Sequence, residues 1–222
     1  METVLILDFG AQYSQLIARR VREQNVYCEV KPCSISPDEI RKLAPIGIIL
    51  SGGPQSVYES VSLHVDPALF SLGIPVLGIC YGCQLMAYSL GGTVAAATEA
   101  TAREYGKTLT EFDTESAIFH GLPASSVTWM SHGDYISQVP DGFTVTAKTA
   151  VCPTAAMACP EKKLYGVQFH PEVQHTVQGS EILRRFLYSV CGASGDWTMA
   201  DYRQTAIRAI REKVGSGRAL LA

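Results

Sequence analysis

Ile74-Pro75-Val76-Leu77-Gly78-Ile79-Cys80-Tyr81-Gly82-Cys83-Gln84-Leu85-Met86-Ala87-Tyr88-Ser89-Leu90 passes from a short apolar run to a helix-like segment. The join is a pair of glycines bracketing a cysteine. A strand over Val76 to Ile79, a sharp turn and a helix start would hold Cys80 out at the tip. Thiolate is the reactive form of cysteine, and a helix N-terminus favours it. A free cysteine after a core strand can also be a small buried residue. Against that, a plain strand-to-helix connection does not need a glycine on both sides.

Two further stretches bear on that choice. Leu164-Tyr165-Gly166-Val167-Gln168-Phe169 reads as a strand that ends at His170, followed by Pro171 and Glu172. A cysteine nucleophile needs a base within reach, and the base needs an orienting partner. His170 and Glu172 supply both types across a stiffening proline. Taken singly, the histidine could be a hydrogen-bonded core or surface residue and the glutamate a solvated carboxylate. Their cluster at a strand end is what points to chemistry. Ser51-Gly52-Gly53-Pro54 follows the apolar strand Ile46 to Leu50. Its adjacent glycines could aim backbone N–H groups at a ligand as an oxyanion hole or phosphate cradle, or could form an ordinary tight turn. No Walker lysine follows, so this is not a nucleotide P-loop.

Strands and helices alternate through the first half. Val4 to Leu7, Tyr27 to Lys31, Ile46 to Leu50 and Val76 to Ile79 read as strands. Gln12 to Gln24 and Pro37 to Leu43 read as helices, and Pro67 to Leu72 as a helical turn. That order predicts an α/β fold with a mostly parallel central sheet and helices on both faces. From Tyr105 to Met157 shorter strands such as Ser126 to Met130 and Thr144 to Lys148 predict a small added antiparallel sheet. Glu181 to Val190 reads as a closing helix and Asp201 to Val214 as a helix of mixed charge. Arg218 to Ala222 reads as the opening of another strand.

The 222 residues, 47% hydrophobic, suffice for one good-sized core. A net charge of -3 gives no case for nucleic acid or an anionic membrane as partner. Apolar stretches are strand-length and broken by glycine or proline, so no membrane-spanning helix is expected, and the immediate strand at Val4 leaves no room for a signal peptide. Seven cysteines at irregular spacing suit a reducing cytoplasm better than a disulfide framework. Cys28 with Cys33, Cys152 with Cys159, and His170 with His175 form no recognised zinc pattern, so no metal is expected.

Gly78 to Gln84, Ser51 to Pro54 and Gln168 to Glu172 together resemble the class I (triad) glutamine amidotransferases, over nearly the whole chain. Leu7-Asp8-Phe9-Gly10-Ala11-Gln12-Tyr13, Trp129-Met130-Ser131-His132-Gly133-Asp134 and Tyr165 to Glu172 place the resemblance nearest the glutaminase domains of GMP synthetases. Cys83 departs from the pattern, since relatives usually carry methionine there; it should face inward as a packing change. The resemblance implies Cys80 as nucleophile, His170 as base and Glu172 as its orienter. It implies backbone N–H groups of Gly53 and Tyr81 as the oxyanion hole, and Gln84, Gly133 and Asp134 as holders of L-glutamine. It further implies a domain over residues 1–195, with 196–222 as a linker and the start of a truncated ATP pyrophosphatase (synthetase) domain. No cofactor is then expected in this chain, ATP and Mg²⁺ belonging to the synthetase domain. That domain is the expected partner, within a homodimeric full-length protein. Other readings are a glutaminase of the anthranilate or carbamoyl phosphate type, a non-catalytic relative, and a thiol oxidoreductase using Cys80-Tyr81-Gly82-Cys83. The last leaves His170 and Glu172 without a role.

Overall fold

The computed structural model describes residues 2–59, 63–96 and 103–220. In chain order the elements are β1 (Thr3–Asp8), α1 (Ser14–Glu23), β2 (Tyr27–Pro32), α2 (Pro37–Leu43), β3 (Gly47–Leu50), β4 (Val76–Ile79) and α3 (Tyr81–Ser89). They continue with β5 (Thr93–Ala96), β6 (Glu104–Phe112), β7 (Ser125–His132), β8 (Asp134–Gln138), β9 (Thr144–Lys148), β10 (Ala156–Cys159), β11 (Leu164–Val167), α4 (Gly179–Arg185) and α5 (Met199–Val214).

One nine-stranded sheet runs β2-β1-β3-β4-β11-β10-β9-β6-β7, and β5 pairs with β8 in a small second sheet. From β2 to β11 neighbouring strands are parallel; from β11 to β7 they are antiparallel. The shorter strands expected after Tyr105 therefore mostly extend the central sheet, and β5 with β8 forms the small separate antiparallel one.

Parallel strands buried on both faces read as continuous apolar runs, and here each face takes alternate residues. Val4, Ile6, Ile49, Leu77 and Ile79 join Ile17 and Val21 of α1 and Ile182 and Leu183 of α4. Leu5, Leu7, Ile48, Leu50 and Val76 join Ile40 of α2 and Leu85 and Met86 of α3 on the other side. Each such aliphatic side chain contributes about 1.5–3 kcal/mol by leaving water. Sequence decides the helix ends as well. Ser36 and Glu39 form a reciprocal capping box at the start of α2, with Pro37 at its first position.

Some boundaries differ from the sequence reading. The last strand stops at Val167: Gln168 N–H still reaches Ala155 O, the next position of the β10 register, but His170 N–H turns away to Trp129 O. The closing helix starts at Gly179 and ends in a π-helical turn, Phe186–Val190. Residues 218–220 form no strand, against expectation, and 221–222 lie outside the described residues.

Candidate active site

Cys80 sits between β4 and α3 with φ 51° and ψ -108°, a left-handed backbone that L side chains rarely adopt. Such strain costs about 1–3 kcal/mol and persists only where the surroundings impose it. Two glycines impose it by close approach. A Cβ on Gly78 would lie 2.6 Å from Gly82 O, and one on Gly82 would lie 2.6 Å from both Leu50 Cβ and Leu50 O. No side chain fits at either position, so the turn can close tightly against β3. The glycines seen in the sequence are thus what allows the elbow to form.

Ser51 ties the glycine loop to that elbow. Its carbonyl accepts from Gly82 N–H at 3.1 Å, and its Oγ accepts from Phe9 N–H at 3.1 Å. Gly52 is packed against both reactive groups: a Cβ there would be 3.4 Å from His170 Cε1 and 3.8 Å from Cys80 Cβ. Gly53 follows, beside the Tyr81 ring and Phe9 O. Tyr81 opens α3, where N–H groups are directed out of the helix end.

The base arrives from the turn after β11. His170 Nδ1 is 2.8 Å from Glu172 Oε1, and both side chains are buried. The turn is fixed by Thr176, whose hydroxyl donates to His170 O at 2.6 Å while accepting from Trp129 N–H. Arg20 of α1 donates to Glu172 O at 2.9 Å, and the Tyr13 ring stands edge-on to the imidazole at 5.9 Å. Burial alone would push the His170 imidazolium down. Hydrogen bonds to Cys80 and Glu172 and the charges of those two groups outweigh it and hold the imidazole up at about 10. Glu172 Oε2 is buried without a hydrogen-bond partner among the described residues, so the carboxylate is committed to the imidazole through one oxygen.

Cys80 lies between two clefts. One, of about 190 Å³, is bounded by Gly52, Gly53, Tyr13 and His170. The other, of about 390 Å³, is lined by Gly53, Tyr81, Gln84, Gly133 and Asp134. All the sequence-derived candidates therefore converge on one place. Gln84 Nε2 donates to Asp134 O at 2.8 Å, so α3 and the turn between β7 and β8 form one wall. A surface groove of about 460 Å³ between Lys31 and Lys42 is larger but contains no nucleophile or base pair.

Two features escaped the sequence reading. Gln168 Nε2 approaches Cys80 Sγ at 3.7 Å, as does Ser131 O. The signal for Gln168 was present, a polar residue in the otherwise apolar run Leu164 to Phe169. Buried Glu104 bonds His132 Nε2 at 3.3 Å and Thr149 Oγ1 at 2.7 Å. With Cys152 these two residues form a group whose ligand atoms lie within 4.8 Å of one another, close enough to hold a metal. Burial pushes the Cys152 thiol up to about 12, and His132 and Glu104 are already engaged with each other, so the group is organised as a hydrogen-bond network. Cys83 faces inward as expected, fully buried, with its Sγ where a Cβ on Gly166 would stand. Burial holds its thiol well above the ordinary range, the reverse of what disulfide exchange with Cys80 would need. Among the described residues no helix is long and apolar enough to cross a membrane.

The sequence model of the family described as glutamine amidotransferase class-I matches residues 5–190. Proteins of Clostridium botulinum and Acetivibrio thermocellus, both named GMP synthase [glutamine-hydrolyzing], are 53% and 55% identical over 221 residues. Those alignments cover this whole chain but 42% and 43% of the relatives, so the chain spans less than half of their length. Among solved structures, a Thermoplasma acidophilum protein described as a GMP synthase subunit superposes with a TM-score of 0.74 at 30% identity, covering 93% of this chain and 98% of its own. A glutamine amidotransferase of Thermotoga maritima, 20% identical, has a TM-score of 0.67 over 86% of this chain and 99% of its own, a likeness of fold.

Proposed function

The chain belongs to the class I glutamine amidotransferases, and from that membership we propose that it is the glutaminase part of a GMP synthase. It releases ammonia from L-glutamine for the amination of XMP to GMP. The observation that carries the reading is the buried His170–Glu172 pair beside a strained Cys80 at a helix start. Sequence likeness over the full chain to proteins named GMP synthase supports the choice over the anthranilate or carbamoyl phosphate type.

In the proposed reaction Cys80 sulfur, as thiolate, attacks the side-chain amide carbon of glutamine in the cleft lined by Gln84, Gly133 and Asp134. The carbonyl π-electrons move onto oxygen, and backbone N–H groups of Gly53 and Tyr81 hold that oxyanion. The His170 imidazolium gives its proton to the departing nitrogen, which leaves as ammonia, and a γ-glutamyl thioester remains. Neutral His170 then takes a proton from water as the water attacks the thioester. The C–S bond breaks, glutamate leaves, and the thiolate–imidazolium pair is restored. Glu172 keeps the imidazole in the tautomer whose Nε2 faces the sulfur.

Residues 1–195 form the amidotransferase domain in this reading and residues 196–222 lead toward a synthetase domain. In support, the family match ends at residue 190 and α5 buries none of its residues. ATP and Mg²⁺ would act in that other domain, and a cytoplasmic, homodimeric whole protein goes with the assignment. The test is glutamate release from L-glutamine by the wild type and Cys80→Ala, with and without the synthetase domain of a relative. Cys80-dependent release, enhanced by that domain, is expected; release that survives in Cys80→Ala would overturn the reading.

A further inference from the structure

Gln168 is completely buried, touches the sulfur of Cys80, and has no part in the steps above. Which end of its amide faces the sulfur follows from hydrogen-bond inventory. Asp134 O can only accept, so the Gln84 atom 2.8 Å from it must be Nε2. That same Nε2 lies 3.1 Å from the Gln168 amide, so the Gln168 atom facing it must be the acceptor Oε1. Its Nε2 is then left to point at Cys80 Sγ, 3.7 Å away. A backbone carbonyl on the turn after β7 thus sets the orientation of two side-chain amides in series, and the nucleophile meets an N–H rather than a carbonyl oxygen. Both hydrogens of Gln84 Nε2 are used in doing so.

The second neighbour of the sulfur has the opposite character. Ser131 O, also at 3.7 Å, can accept from the thiol but has nothing to offer a thiolate. Ionising Cys80 exchanges one partner for the other: the bond to Ser131 is lost, and the bond from Gln168 becomes charge-assisted. Besides His170, Gln168 is the side chain whose bond to the sulfur distinguishes the two states.

We propose that Gln168 is a further catalytic residue, whose amide N–H stabilises the Cys80 thiolate and whose orientation is imposed by Asp134 O through Gln84. The inference rests on the reading of Cys80 as nucleophile. It is tested by the pH dependence of Cys80 alkylation with iodoacetamide, followed by peptide mass spectrometry so that the six other thiols do not contribute. Wild type, Gln168→Leu and the isosteric Gln168→Glu are compared, with thermal unfolding as a check on the fold. Loss of the donor in Gln168→Leu should raise the midpoint by about one pH unit, the scale of a hydrogen bond to a charged group. Gln168→Glu, which turns an acceptor toward both the sulfur and Gln84, should raise it further. Reactive wild-type Cys80 with an unmoved midpoint in both folded variants would overturn the proposal and leave the nucleophile standing. Wild-type Cys80 alkylating no faster than an ordinary free thiol would overturn the nucleophile and the proposal with it.

Discussion

Replacing Glu172 by glutamine keeps the size of the side chain and removes one charge 2.8 Å from His170 Nδ1. The imidazole is held at about 10 against a usual 6.5, with burial working against that rise. Two unit charges about 4 Å apart at an effective dielectric near 20 interact by about 4 kcal/mol, which corresponds to roughly three pKa units. In Glu172→Gln the burial penalty and the Cys80 contribution remain, so His170 should titrate near 7, within about a unit. The assay is an NMR titration of His170 Cε1–H in selectively labelled protein, which needs neither substrate nor partner. Stability should follow. A raised folded pKa contributes stability that is complete below the unfolded value and lost as pH rises through the folded one. Wild type should therefore weaken in urea between about 6.5 and about 10, and the variant should lose most of that dependence. With about one-tenth as much imidazolium present at about pH 8, kcat/KM for glutamate release should fall by about 10-fold there. A His170 titration that stays near its wild-type value in Glu172→Gln would refute the assignment of Glu172, beside Cys80, as a charge partner that holds the imidazole up.

The elbow makes separate predictions. Cys80→Gly and Cys80→Ala should both abolish glutamate release, yet the glycine variant should be more stable by about 1 kcal/mol in urea unfolding, because only alanine keeps a Cβ at positive φ. Gly82→Ala drives a methyl into Leu50 and should cost about 2–3 kcal/mol, with activity lost alongside. Ser36→Ala removes the capping box of α2 and should cost about 1 kcal/mol while leaving kcat/KM unchanged.

How far the sequence could be read depended on where the signal lay. The parallel half was legible because strands covered on both faces must be continuously apolar, and the helices between them repeat at their own period. The antiparallel half was less so: in β6 buried Glu104, Thr110 and Phe112 alternate with exposed Tyr105 and Leu109, a pattern that hides which face is inward. Cys80, His170 and Glu172 could be found because each is chemically conspicuous and lies at an element's end. Gln168 showed only as a polar residue in an apolar run and the Glu104–His132 pair not at all, since what these side chains touch, 88 and 28 residues away in sequence, is set by the fold. The inward position of Cys83 followed from helical spacing, but its pressure against Gly166 is visible only once β11 is beside α3.

The most direct test of the central claim is acid-quenched mass spectrometry of the chain during turnover of L-glutamine. The account predicts a γ-glutamyl group on the peptide carrying Cys80, absent in Cys80→Ala and longer-lived in His170→Asn, where water attack lacks its base. Glutamate released with no adduct on Cys80, or at an undiminished rate from Cys80→Ala, would contradict it.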